Sequence, residues 1–197
     1  MKFFALHKEK LIWLAFCLLA VFIIYGRTLA GDFVFDDRGI VDHQMILSDL
    51  NKFDQVLMMP YLTAVEGGAY RPTVVASYAM NYLILGSAPW GFHLINLLLY
   101  AASIFLLALV LKRLFKNKAL AYLTATLFLV LPIHTEVVAN IIGRAEILSL
   151  FFSLLVFWEL LKKEVVWWRV GVWLALALGS KETAVATAPI ALLIIYL

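Results

Sequence analysis

Residues 92–111 read FHLINLLLYAASIFLLALVL, 20 positions without a formal charge, and Lys112 and Arg113 follow at once. At about 1.5 Å per residue this makes a helix of about 30 Å, the thickness of the hydrocarbon core of a bilayer. Working outward, residues 11–25 are apolar throughout and continue through Gly26 to Ala30 as a first span. Residues 119–133 form a shorter segment that crosses only if Lys118 extends its ammonium to the interface. Residues 145–161 form a further span, and 165–180 and 183–197 follow, broken by Lys181 and Glu182. Composition agrees: 64% of the 197 residues are hydrophobic, against about half apolar in a soluble domain. Mean hydropathy is +0.95. The expected fold class is an all-α integral membrane protein, a polytopic helical bundle of about six spans.

Residues 73–86 are apolar too, but 14 positions give only about 21 Å of helix. Ser77 and Asn81, four apart, mark one polar stripe, which suits a helix lying in the interface. Charge favours the same reading. If this piece crossed, the next helix would reverse and put Lys112, Arg113, Lys116 and Lys118 outside, against the positive-inside rule. With the segment interfacial or re-entrant, the inner face carries ten basic residues against three acidic ones, and the outer face six against ten. The expected organisation is a cytoplasmic N-terminus (1–10), a first transmembrane helix (11–30), an outer loop (31–91) with an interfacial helix near 73–86, and about five further membrane helices (92–197). A cleaved signal peptide is the competing reading of the N-terminus, because Thr28 and Ala30 are small residues in the relation a cleavage site needs. The chain stops at Tyr196-Leu197 without a closing basic anchor, so it is expected to be a piece of something longer.

The net charge of +3 forms nothing like a basic nucleic-acid face. Cys17 is the single cysteine, which excludes an intramolecular disulfide and leaves it as a small apolar filler. No heptad, 34-residue repeat or low-complexity tract is present.

Several groups could carry chemistry. Asp36 and Asp37 follow the first span on the expected outer face, after Phe33-Val34-Phe35, whose alternation suggests an extended segment pinned to the membrane surface. Adjacent carboxylates in a poorly hydrated site repel each other and favour proton acceptance near neutrality; the alternative is a solvated loop pair. His134 and Glu136 follow Pro132. On a strand they would share a face; on a helix they would not, and the segment would be a helix start with Glu136 in the first turn. A metal site would need Asp36, Asp37 or His93 to complete it. Arg71, Arg144 and Lys181 are outer cations able to grip a phosphate, Arg as a fork and Lys as a point charge. Their alternatives are a structural pair of Arg144 with Glu146, and Lys181 neutralised by Glu182 at a hairpin tip. Trp167 and Trp168 suit an aromatic belt, His43 a solvent position, and Gly67-Gly68 a loop hinge.

Taken in order, six motifs resemble one family: Phe33-Val34-Phe35-Asp36-Asp37, Tyr70-Arg71-Pro72, Gly91-Phe92-His93-Leu94-Ile95-Asn96, Leu131-Pro132-Ile133-His134-Thr135-Glu136, Gly143-Arg144-Ala145-Glu146 and Ser180-Lys181-Glu182. Together they look like the membrane half of the transmembrane and tetratricopeptide-repeat O-mannosyltransferases, here in the form of a bacterial relative, within the GT-C glycosyltransferase superfamily. The likeness runs from about residue 31 to the end of the chain.

That resemblance implies a GT-C type bundle, multi-pass in a bacterial inner (plasma) membrane, with its site on the periplasmic or extracellular face. The donor would be a mannose-like sugar on a polyprenyl or dolichyl phosphate, and the acceptor a hydroxyl of a protein or glycan. Asp36 would be the base and Asp37 its support, orienting the acceptor or a divalent cation, the one cofactor considered. Arg71, Arg144 and Lys181 would stabilise the leaving phosphate, with His134 and Glu136 in the same substrate-binding set. A single carboxylate base without a carboxylate nucleophile would invert the anomeric centre, by analogy with inverting glycosidases. Membrane lipid is the remaining partner, and no nucleic acid is expected. The family continues into further spans and helical repeats that these 197 residues lack, so a non-catalytic membrane anchor or assembly subunit is the alternative. A transporter fragment is weaker, because Glu159 is the one ionisable group noted within a span.

Overall fold

A computed structural model describes residues 2–39, 53–58, 61 and 69–196; His43, Lys52, Gly67 and Gly68 lie outside them. Nine α-helices are described: α1 (Lys2–Tyr25), α2 (Phe53–Met58), α3 (Pro72–Leu85), α4 (Pro89–Phe115), α5 (Lys118–Val130), α6 (His134–Ala139), α7 (Arg144–Leu160), α8 (Trp167–Leu178) and α9 (Thr187–Tyr196). Short 3₁₀ turns at Gly26–Ala30, Phe35–Asp37, Ile141–Gly143 and Glu182–Ala186 join them, and no strand occurs among the described residues. The protein is an all-α membrane protein. Three stretches, Lys8–Ala30, Pro89–Phe115 and Ile141–Leu160, are long and apolar enough to cross a bilayer. Pro72–Leu85, Lys118–Val130, Trp167–Leu178 and Glu182–Tyr196 are apolar but shorter. At about 1.5 Å per residue none of these four reaches the thickness of the hydrocarbon core.

Local chemistry sets the boundaries. Pro72 and Pro89 start α3 and α4 at the first helical position, where the missing N–H costs nothing. Gly86 ends α3 with φ +74°, a conformation that a residue with a Cβ rarely adopts, and its N–H returns to the Tyr82 carbonyl at 3.0 Å. Lys112 and Arg113 lie in the last turn of α4, favourable at the negative end of the helix dipole. The Asn117 side chain accepts from the Leu120 N–H at 3.1 Å and caps α5.

Helix α4 is the axis of the bundle, with α1, α5 and α7 packed on it and α8 on the far side of α7. Small residues let the helices approach closely: Ala101, Ala108 and Ala125 are fully buried with Leu97, Ile104 and Leu129. Cys17 lies in the same cluster, a buried free thiol acting as filler. Gly143 is where α6 and α7 meet, and a Cβ there would overlap the Val137 backbone carbonyl. Gly171, on α8, faces open space.

The polar stripe on α3 behaves differently from its expected role at a lipid–water interface. Asn81 is buried rather than hydrated, and the Ser77 hydroxyl donates to the Val74 carbonyl at 2.6 Å. The Asn81 side chain turns toward Arg144, and Ser77 offers it a backbone carbonyl, because a buried charge attracts dipoles that hydropathy alone would leave in water.

Gly143→Ala should therefore lower the thermal unfolding midpoint in detergent, at a cost of about 1–3 kcal/mol, whereas Gly171→Ala should be neutral or stabilising. Circular dichroism melts of the two variants test this, and equal midpoints would contradict the close contact.

Candidate functional site

The end of the bundle away from Lys112 and Arg113 is organised around the turn Ile141–Gly143. Its backbone is held by side chains from four separate segments. Asp37 Oδ1 accepts from the Ile142 N–H at 2.9 Å, and Asp37 Oδ2 accepts from the Val34 N–H at 3.3 Å. The Tyr61 hydroxyl donates to the Ile142 carbonyl at 2.8 Å, and the Tyr78 hydroxyl to the Ile141 carbonyl at 3.0 Å. Asn96 Nδ2 donates to the carbonyls of Asn140 and Ile141, both at 3.1 Å. Burial pushes the Tyr61 hydroxyl up to about 12, so it remains a donor throughout the neutral range.

Arg144 follows this turn directly and is 0% exposed. Its Nε donates to Asn96 Oδ1 at 2.7 Å, and one terminal nitrogen donates to Asn81 Oδ1 at 3.0 Å and the Phe92 carbonyl at 2.8 Å. The other reaches the Ser77 carbonyl at 3.4 Å. The guanidinium lies over the Tyr78 ring at 4.6 Å and near the Phe92 ring at 5.5 Å. Every described partner is neutral. The expected phosphate contact of Arg144 does not match this geometry: the group is enclosed by protein, and four of its hydrogen bonds go to protein acceptors. The alternative pairing with Glu146 is absent too: Arg144, at the start of its helix, is buried among neutral partners.

The partners of the remaining charges are exchanged relative to sequence neighbours. Lys181 bonds to Glu146 rather than to Glu182. Arg71 forks onto Glu182, Nε to Oε1 at 3.2 Å and a terminal nitrogen to Oε2 at 2.9 Å, and lies over the Tyr61 ring at 4.8 Å. Burial works against the charge on Arg71, but the Glu182 carboxylate outweighs it and holds the guanidinium above its ordinary value. The Arg71 fork in turn holds Glu182 below the ordinary carboxylate range. The Thr73 N–H to Gly179 carbonyl bond, 3.1 Å, ties the start of α3 to the same corner.

Asp36 and Asp37 have opposite environments. Asp37 is buried, with both oxygens accepting backbone N–H groups, whereas Asp36 is exposed. Val34 is extended, but Phe35 turns to φ +45° and is 91% exposed, while Phe33 packs on Phe92 with ring centres 5.6 Å apart. The two phenylalanines thus diverge instead of lying on one surface. A left-handed bulky residue is unfavourable in free chain and is held here by the Asp37 anchor on its C-terminal side. Asp37 does not fit the part of a preformed cation ligand, since its oxygens face backbone donors. Among the described residues no group of three or more His, Cys, Asp or Glu side chains converges.

His134 and Glu136 begin the helix α6, so they point apart. The His134 ring lies 4.3 Å from Phe128, and partial burial lowers its pKa. Glu136 instead lines a cleft of about 200 Å³ with Asn140, Ile142, Gly143 and Glu146. The structure therefore brings Asp37, Arg71, Glu136, Glu146, Lys181 and Glu182 to one end of the bundle around the turn. Sequence reading missed Tyr61, Tyr78 and Asn81 as members of this network; the one visible signal was the Ser77/Asn81 stripe. His93 is buried near Gly31, and both its ring nitrogens lack a partner among the described residues.

Comparison with known proteins identifies the family of this helical membrane bundle. Residues 72–197 match the family described as dolichyl-phosphate-mannose-protein mannosyltransferase. The chain belongs to that family. It is 34% identical over 192 residues to protein O-mannosyl-transferase Tmtc1 of Drosophila melanogaster, covering 91% of this chain and 22% of the relative. It is 32% identical to Tmtc2 of the same fly over 91% of this chain and 21% of the relative. It is 34% identical to human TMTC1 over 68% of this chain and 16% of the relative. The chain thus spans about a fifth of the length of these curated relatives. No solved structure matches it.

Two outcomes are expected for the mannosyltransferase-family network. Arg144→Lys places a point charge where a fork bridges several acceptors, and should destabilise by about 2–3 kcal/mol in chemical or thermal unfolding. For Glu182 the folded pKa is depressed, so its pairing stabilises above the ordinary carboxylate value and that contribution is lost as pH falls through the lower folded value. Glu182→Gln should accordingly flatten the acid limb of a plot of unfolding midpoint against pH, the pair being exposed enough that the change is small.

Proposed function

We propose that this chain carries the base-bearing outer face of a glycosyltransferase that moves mannose from a dolichyl- or polyprenyl-phosphate donor to an acceptor hydroxyl. The observation that carries it is the pairing of an anchored and a free carboxylate: Asp37 holds the loop to the Ile141–Gly143 turn, and the next carboxylate, Asp36, stands exposed beside it. A hydroxyl is a weak nucleophile until its proton is accepted, and a fixed carboxylate with a free lone pair can accept it.

In this mechanism the acceptor oxygen attacks the anomeric carbon while its proton passes to Asp36. The bond from that carbon to the lipid phosphate oxygen breaks, and the phosphate leaves with the electron pair. Attack from the face opposite the leaving group inverts the centre. Arg71 and Lys181 are the cations for the departing phosphate, each now balanced by a carboxylate, Glu182 or Glu146, that an incoming phosphate could displace. Glu136, across the cleft, and His134 remain in the substrate-binding set, His134 favouring its neutral form. Arg144 acts from behind as the holder of the turn, not as a ligand. The lysine-rich end is placed at the cytosol by the positive-inside rule, which puts Asp36 on the non-cytosolic side, the periplasm in a bacterium.

The test is transfer of labelled mannose from dolichyl-phosphate mannose by membranes carrying the chain. Asp36→Asn should reduce transfer by about 10²–10⁴-fold with an unchanged unfolding midpoint, and Arg71→Ala should raise the donor KM more than it lowers kcat. Full turnover in Asp36→Asn would remove this residue as the base. Absence of any donor-induced stabilisation in the unaltered chain would leave the non-catalytic anchor as the reading.

A further inference from the structure

The lysine-rich end of the bundle holds a second arrangement that mannosyl transfer does not use. Glu9, on α1, meets the end of α4 and the start of α5. Its Oε1 accepts from Lys112 Nζ and from the Tyr122 hydroxyl, and its Oε2 from Lys118 Nζ, each at 2.6 Å. One carboxylate therefore positions two ammonium groups. Each ammonium has three donors and uses one here, so a positive charge and several N–H groups are left over. Lys8, exposed on the same turn of α1, adds another cation.

Directly beside this cluster, Lys8, Glu9, Ile12, Trp13, Phe16 and Tyr122 line a groove of about 530 Å³ with a largely apolar wall. Trp13 stacks on Tyr122 at 4.6 Å and on Phe16 at 5.0 Å between ring centres. Its ring is 8% exposed, yet its indole N–H has no partner among the described residues. A buried donor left unsatisfied is unfavourable, and none of the described residues supplies an acceptor for this one.

We propose that this groove binds one anionic phospholipid, its phosphate at Lys8, Lys112 and Lys118 and an acyl chain against Ile12, Trp13 and Phe16. Charge and shape select that occupant. A cationic mouth above an apolar trough matches a molecule with an anionic head and a hydrocarbon tail, at the level where a leaflet's headgroups meet its chains. A zwitterionic lipid brings a second cation toward the lysines. A second copy of this chain would set the same lysines against each other. The ester and phosphate oxygens of the lipid are acceptors of the kind the Trp13 N–H needs.

The experiment is native mass spectrometry of the full chain released from detergent, with phosphatidylglycerol and phosphatidylcholine of identical acyl chains. The unaltered chain should retain one phosphatidylglycerol several-fold more strongly than phosphatidylcholine. Lys8→Gln and Lys118→Gln should each cut that retention about five-fold. Both side chains are solvent-accessible, so folding should persist, checked by the unfolding midpoint. Trp13→Phe keeps the ring packing and removes only the N–H, and should weaken both lipids. Equal retention of the two lipids would overturn the proposal, as would a preference that survives both lysine changes. Inorganic phosphate displacing the lipid at equal concentration would assign the lysines to a soluble anion instead, and lipid-free dimers dispersed by Trp13→Phe would assign the groove to a second copy.

Discussion

A guanidinium sealed inside the bundle without a carboxylate is the constraint on which the Ile141–Gly143 end of this protein depends. An ion in a poorly polarisable interior is very unfavourable unless dipoles replace its water. Arg144 finds those dipoles on α3 (Ser77, Asn81) and α4 (Phe92, Asn96), and the faces of Tyr78 and Phe92 complete its shell. Donors fixed in one rigid plane can meet these acceptors only if the two helices are held at fixed positions around it. Residues near the end of α3 and the start of α4 must both reach one point, which is why the chain turns sharply at Gly86. The short apolar helix α3 is thus a buttress for a buried charge.

The same network fixes the turn that follows α6. Asn96 serves both sides of it, accepting from Arg144 and donating to Asn140 and Ile141. Asp37 reaches the turn from the other direction and fastens the segment that follows α1 to it. The exposed Asp36 carboxylate therefore stands at the edge of a segment whose position Asp37 fixes. Charges at this end fall into two kinds: those enclosed by neutral dipoles, which hold structure, and those in accessible pairs, which a ligand can rearrange. The lysine-rich end works by a different rule, with one carboxylate gathering more positive charge than it cancels.

Much of the architecture was legible from residues 92–111 and their basic flank, since length and hydropathy alone decide whether a helix is a match for a bilayer. The ordered motifs led to the right family, which the matched region from residue 72 onward supports independently. The site was less legible. The sequence offers Arg144 either a phosphate or Glu146 as partner, yet it is the largest of the fully buried side chains among the described residues and meets neither. The resemblance assigns Asp36 and Asp37 different parts, but their spacing does not show that Asp37 is the buried one; that follows from the approach of the Ile142 N–H.

The class of solvent around the chain, its helical secondary structure and the sorting of lysines to one end follow from composition and local spacing. Hydropathy and charge act residue by residue, so adding them along the chain is enough. The choice of partners does not follow in that way. Arg71 meets Glu182, and Lys181 meets Glu146, across separations that no local rule connects. Which carboxylate is buried, which cation is enclosed and where a cleft opens depend on α3, α4 and α7 arriving together, and that convergence belongs to the folded bundle alone.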